Sequence, residues 1–190
     1  MNPIETRDKL LINKIMEGDT FAFKDLIDFY KNVSLTLASS IVKNELLAED
    51  VVQTTFIKVY QKLHTFKKDA KFSTWLYRIV VNTAYNELKK QKRHSDIDIA
   101  AVYSIEVDEK SGTYLEEEDQ KKYIQMALKT IKVDEALVLR LFYLYEHSIS
   151  EIQEITGFSK SKVKVDLHRG RINMEQQLKK ILGNEITHLL

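Results

Sequence analysis

The chain has 190 residues, no cysteine, one proline, five glycines and a formal net charge of +1. Lack of cysteine excludes disulfides, thiolate catalysis and cysteine-based zinc sites, and no apolar run approaches the ~20 residues of a membrane span. The opening MNPIETRDKL lacks the basic-then-apolar layout of a signal peptide, so a cytoplasmic protein without stable membrane insertion is expected.

Scarce proline and glycine with long 3.6-residue periodicities predict an all-α fold. Residues 4–17 read as a short amphipathic helix with Leu10, Leu11 and Ile15 on its apolar side, ended by Gly18. Asp19 or Thr20 then caps a longer helix to about residue 43, with Phe23, Leu26, Ile27, Tyr30, Val33 and Leu37 at helical spacing; Asn44 interrupts it. A third helix over residues 46–65 turns Val52, Phe56, Val59 and Leu63 inward and offers Asp50, Gln53, Thr54 and Ile57 on another side. A short polar stretch, 67–71, leads to a fourth helix over 72–93, with Ser73 or Thr74 as its predicted cap.

That fourth helix organises the chain. Leu76, Tyr77, Val80, Val81, Ala84 and Leu88 form a stripe wide enough to bury. The opposite side collects Trp75, Arg78, Asn82, Asn86, Lys89 and Arg93, ending in a run of cations. Cations at a helix C-terminus suit the macrodipole and are often merely solvated. An aromatic and two amides on the same face suit nucleic acid better: bases stack on aromatics, amides reach base edges and cations follow phosphates. The four helices, with short connections, predict a compact N-terminal bundle over residues 1–94.

Between Ser95 and Asp119 nine acids face a single base, Lys110, so this stretch carries −8 and the rest of the chain +9. Its periodicity fails, and it reads as an acidic tether joining two cationic blocks. Helices resume at 120–130 and 134–146, within a C-terminal domain predicted over 120–190. There Ser148 and Glu151 have capping-box spacing, Gly157 permits a tight turn, and Ser159 can cap a cationic helix whose Val163 and Leu167 face inward. Short helix, glycine turn and longer basic helix make a helix-turn-helix, with a plain helical hairpin as the alternative.

With these residues in place, the chain resembles the extracytoplasmic-function (ECF) sigma factors of bacterial RNA polymerase over nearly its whole length. AEDVVQTTFIKVYQKL is similar to the segment that grips the polymerase clamp helices. FSTWLYRIVVNTAYNELKK is similar to the segment that recognises and melts the minus-ten promoter element. SISEIQEITGFSKSKVKVDLHRGR is similar to the helix-turn-helix for the minus-thirty-five element. The resemblance implies core-polymerase contact through Asp50, Val51, Gln53, Thr54, Ile57, Tyr60 and Gln61. It implies minus-ten contact through Lys67, Lys68, Lys71, Phe72, Ser73, Trp75, Arg78, Asn82, Asn86 and Lys89. For the helix-turn-helix it implies Ser159, Lys160, Ser161, Lys162, Lys164, Val165, His168, Arg169 and Arg171. Core polymerase, promoter DNA and an anti-sigma factor are the implied partners, with no cofactor or metal. Thr54, Gln153 and Asp166 depart from the family, which often has Glu, a small Ala and an Arg there.

Two other classes compete. A conventional activator or repressor would use the helix-turn-helix alone and would not need the paired third and fourth helices. A helical metal enzyme is disfavoured because the five histidines show no HExxH spacing and no glycine-rich phosphate loop is present.

Overall fold

The computed structural model describes residues 3–67, 70–94 and 117–183, and every regular element among them is helical. Helix α1 (Pro3–Met16) opens with proline, whose missing N–H costs nothing in a first turn. It buries Asp8, Leu11 and Ile12 against α2, whereas Leu10 is exposed. The apolar side expected from Leu10, Leu11 and Ile15 is thus rotated. A row at 8, 11, 12 and 15 meets α2, and Asp8 joins it because the Tyr30 hydroxyl donates to its carboxylate at 2.6 Å.

Helix α2 (Thr20–Val42) is capped by Asp19, whose carboxylate accepts from the Phe21 and Ala22 N–H groups. Asn44 does more than interrupt the pattern: its side chain accepts from Leu47 N–H and starts α3 (Glu45–Lys62). A 3₁₀ turn, Leu63–Thr65, tightens the end of α3. Helix α4 (Phe72–His94) begins earlier than its hydroxyl residues suggest. The Lys71 carbonyl accepts the first helical bond, from Trp75 N–H at 3.3 Å, so Ser73 and Thr74 lie inside the first turn and cap nothing. The three helices α2, α3 and α4 pack pairwise around Leu26, Leu37, Ile41, Val51, Val59, Leu76 and Val80.

The expected tether falls largely outside the described residues, which resume in α5 (Glu117–Thr130). Helix α6 (Val133–Leu139) runs into a π-helical turn, Arg140–Leu144, where a single α-helix was expected. Helix α7 (Ile149–Thr156) starts in a complete capping box: Ser148 Oγ accepts from Glu151 N–H, and Ser148 N–H donates back to the Glu151 carboxylate at 2.8 Å. Gly157 ends it in the left-handed region at φ 73°, and Ser159 caps α8 (Lys160–Leu182). Helix α8 packs on α5, α6 and α7, burying Val163 and Leu167 as the spacing predicts.

Candidate polymerase and nucleic-acid interface

Three surfaces carry the candidate residues. The first is the outer side of α3. Burial of Ala48, Val51, Thr55, Phe56 and Val59 leaves Asp50, Gln53, Thr54, Ile57, Tyr60 and Gln61 exposed. Val51 does not belong to this surface. It is 2% exposed and packs in the core, because it shares the row of Ala48, Thr55 and Val59. Leu46, absent from the expected set, is 76% exposed. Leu46, Asp50, Gln53, Ile57 and Tyr60 alternate steps of four and three, the spacing with which one helix meets another in a coiled coil. The signal was present in the sequence, one turn before the polar strip.

The second surface belongs to α4. Arg78, Asn82, Asn86 and Lys89 are exposed at successive turns on one side. Phe72 is corrected: at 3% exposure it lies in an aromatic cluster, its ring centroid 5.5 Å from Phe66 and Tyr30 and 5.7 Å from Trp75. Trp75 is half-buried in the same cluster, and Ser73 is half-buried beside it. Lys67 and Lys71 are exposed, and Lys71 is paired with Glu151 at 2.8 Å; Lys68 lies outside the described residues. Next to this loop a cavity of about 240 Å³ is lined by Glu5, Asp8, Phe66, Lys71 and Phe72 among others. Its carboxylates come from α1, which the sequence reading did not connect with the loop.

The third surface is α8. Lys160, Ser161, Lys164, Val165, His168, Arg169 and Arg171 are exposed, and Arg171 donates to the Tyr143 hydroxyl at 3.3 Å. Ser159 spends its hydroxyl on the Lys162 N–H as the helix cap. Lys162 departs from expectation. Its ammonium is held at 2.7 Å by both Asp134 and Asp166, which hold it in its charged form. Asp166 is buried, and its carboxylate neutralises the neighbouring lysine.

A groove of about 470 Å³ between α5, the π turn and α8 has no counterpart in the sequence reading. Tyr123, Ile124, Leu139, Tyr143 and Leu178 line it, together with Arg140. Arg140 is 4% exposed, and its Nε and Nη1 have no hydrogen-bond partner. Burial lowers its pKa for want of a compensating carboxylate. Among the described residues no group of His, Asp and Glu is arranged to hold a metal, and no helix is long and apolar enough to cross a membrane.

Comparison with known proteins meets this geometry. Residues 26–94 match the family model of Sigma-70 region 2, and residues 121–174 match that of Sigma-70 region 4. The chain is 30% identical over 185 residues to the ECF RNA polymerase sigma factor SigW of Bacillus subtilis, covering 93% of this chain and 99% of that protein. It belongs to the ECF sigma factors. A second member, the ECF RNA polymerase sigma-E factor of Escherichia coli, is 30% identical over 188 residues, covering 92% and 96%. As an ECF sigma factor the chain directs RNA polymerase in promoter recognition and has no catalysis of its own. The fold is shared with CnrH, solved with the cytosolic domain of CnrY. That match has a TM-score of 0.64 and 20% identity over 92% of this chain and 98% of that one. It is shared also with RpoE of Bartonella quintana, solved with the anti-sigma factor NepR, at a TM-score of 0.64 and 24% identity over 83% and 96%.

Proposed function

We propose that this ECF sigma factor divides its work among the three surfaces. The outer side of α3 grips the clamp helices of core RNA polymerase through Leu46, Asp50, Gln53, Ile57 and Tyr60, with Thr54 and Gln61 at its margin. The exposed row of α4 tracks the minus-ten strand, and α8 reads the minus-thirty-five element through Lys160, Lys164, His168, Arg169 and Arg171. Residues 1–94 thus serve polymerase binding and melting, 95–119 tether, and 120–190 carry the helix-turn-helix.

The observation that carries this reading is the exposed stripe on α3. Two large apolar side chains at 76% and 59% exposure, with Tyr60 beyond them, flank Asp50 and Gln53 at coiled-coil spacing. An apolar row of that kind is a docking face for another helix. Tyr60 is steadied by Phe23, whose ring meets it edge-on at 5.0 Å.

The loop ahead of α4 receives a base flipped from the melted strand. Its cavity is several times the ~30 Å³ share of a water molecule and combines aromatic walls with hydrogen-bonding carboxylates, which can replace the stacking and pairing a flipped base gives up. An anti-sigma factor is a further partner; the two solved neighbours above are complexes with CnrY and NepR. The C-terminal groove suits a partner helix carrying an acid for Arg140.

Pull-down with core polymerase followed by run-off transcription tests the reading. Asp50→Ala with Gln53→Ala weakens polymerase capture while leaving helicity unchanged. Full retention of binding overturns the assignment of α3.

A further inference from the structure

Helix α8 is held so that it cannot roll. Its inner side carries Val163, Asp166, Leu167 and Gly170, all buried. At Gly170 the backbone passes so close to α6 that a Cβ would stand 3.0 Å from Leu139 Cδ1. Two polar contacts brace one flank against α6: Lys162 donates to Asp134 at 2.7 Å, and Asn173 Nδ2 donates to Glu135 at 2.6 Å. The line that faces outward is therefore set by the fold. At roughly 100° per residue, Ser161, Val165, His168 and Ile172 lie within about 60° of one another and opposite the buried side. All four are exposed, Val165 at 43% and Ile172 at 42%.

The cations stand to either side of that line. Lys160, Lys164 and Arg171 share one edge, and Arg169 lies on the other beside Lys162, whose charge Asp134 and Asp166 already compensate. A helix in the major groove turns its edges to the phosphate backbones and its centre line to the bases. Phosphate contacts carry no sequence information, so discrimination falls to the centre line. There the first turns of α8 offer a hydroxyl, an isopropyl group and an imidazole, in that order. None of these supplies the bidentate guanidinium contact that selects guanine. Thymine alone among the four bases presents an apolar group in the major groove, its 5-methyl. Val165 sits about 6 Å along the helix from Ser161, under two base steps of roughly 3.4 Å, and so within the N-terminal part that reaches base edges.

We propose that Val165 is a specificity residue of α8: its isopropyl group packs on the 5-methyl of one thymine in the minus-thirty-five element and so selects thymine at that position, with Ser161 and His168 meeting the base pairs on either side. The inference rests on the reading of α8 as the minus-thirty-five helix. Taking one methyl group out of water is worth about four-fold in affinity, which sets the size of the preference.

The test deletes the methyl from the DNA. Promoters are located by run-off transcription with the full chain and core polymerase. Duplexes spanning them then carry deoxyuridine in place of thymidine at one minus-thirty-five position at a time. Uracil keeps every hydrogen-bonding group of thymine and lacks only the methyl. At one position the exchange weakens binding of the unmutated complex about four-fold, and Val165→Ala binds the two duplexes equally. Alanine favours a helix more than valine does and the position is exposed, so α8 still forms in the variant. Thymines that can all be exchanged without loss overturn the inference, and that measurement needs no variant. A loss that persists undiminished in Val165→Ala overturns it too. An unchanged salt slope in both Lys160→Gln and Lys164→Gln would instead defeat the reading of α8 itself; a flattened slope without any methyl effect defeats Val165 alone.

Discussion

Lys162 donates at 2.7 Å to Asp166, one turn further along α8, and at the same distance to Asp134 on α6. A cation held by two carboxylates has little left to offer a phosphate. Lys160→Gln, Lys164→Gln and Arg169→Gln should therefore each flatten the salt dependence of binding to a minus-thirty-five duplex by about one unit of slope. Lys162→Gln should change it by less than half as much. Equal effects from all four, in a salt titration, would show that the pairing dissolves on DNA.

The α3 stripe separates binding from folding. Ile57→Asp and Leu46→Asp remove exposed apolar contact and should weaken core polymerase binding about ten-fold or more, near 1.4 kcal/mol, without moving the urea midpoint. Val51→Ala should do the reverse. It deletes buried methyl groups and should cost about 2 kcal/mol of stability while sparing the docking face. Native-like stability in Val51→Ala would contradict its place in the core.

Acid should destabilise the folded chain in two stages. Burial holds the His147 pKa below its ordinary value, outweighing Glu151 at 3.9 Å, while Lys71 pushes the same way as burial and Tyr77 faces the ring uncharged. The folded chain therefore takes up a proton at His147 less readily than the unfolded one, and its stability falls as pH drops below about 6.5. Glu151 works at lower pH. Burial would raise its pKa, but the Lys71 ammonium and Ser148 win and hold it at about 2. Its contribution is complete above the ordinary carboxyl range near 4.5 and is lost as pH falls from there toward 2. Urea midpoints measured from pH 7.5 to 3.5 should show both losses. His147→Gln should flatten the first and Glu151→Gln the second; an unchanged profile in either variant would remove that residue from the explanation.

Arg140 should be a stability cost. Replacing its buried, unpartnered guanidinium by the similarly long methionine should stabilise the chain by about 1–3 kcal/mol, raising Tm by several degrees. The same Arg140→Met change should weaken capture of a partner whose helix brings a carboxylate into the groove. A lower Tm would mean that the guanidinium is satisfied in solution.

Local chemistry was the legible part of this chain. Ser148, Glu151, Gly157 and Ser159 form a cap, a stop and a second cap within a dozen residues, each through bonds to its own backbone, so their spacing suffices to place α7 and α8. Asp19 was legible for the same reason. Where tertiary packing chose between equivalent local options, spacing failed. Leu10 and Ile12 are both apolar, and only the position of α2 decides which is buried. Phe72 looks like a stacking platform until Tyr30 and Phe66 are beside it. The π turn at Arg140–Leu144 leaves no mark in an apolar run, and the partners of Lys71 and Lys162 lie on helices remote in sequence.

Glu151 serves two masters at once. One carboxylate oxygen completes the capping box of α7, while the other meets Lys71. Substitution at this position therefore acts in two places. Aspartate would shorten the reach to both, alanine would fray a DNA-binding motif as it released Lys71, and glutamine alone would uncouple the two. Exchanging that single carboxylate for an amide therefore separates the start of α7 from its attachment to Lys71.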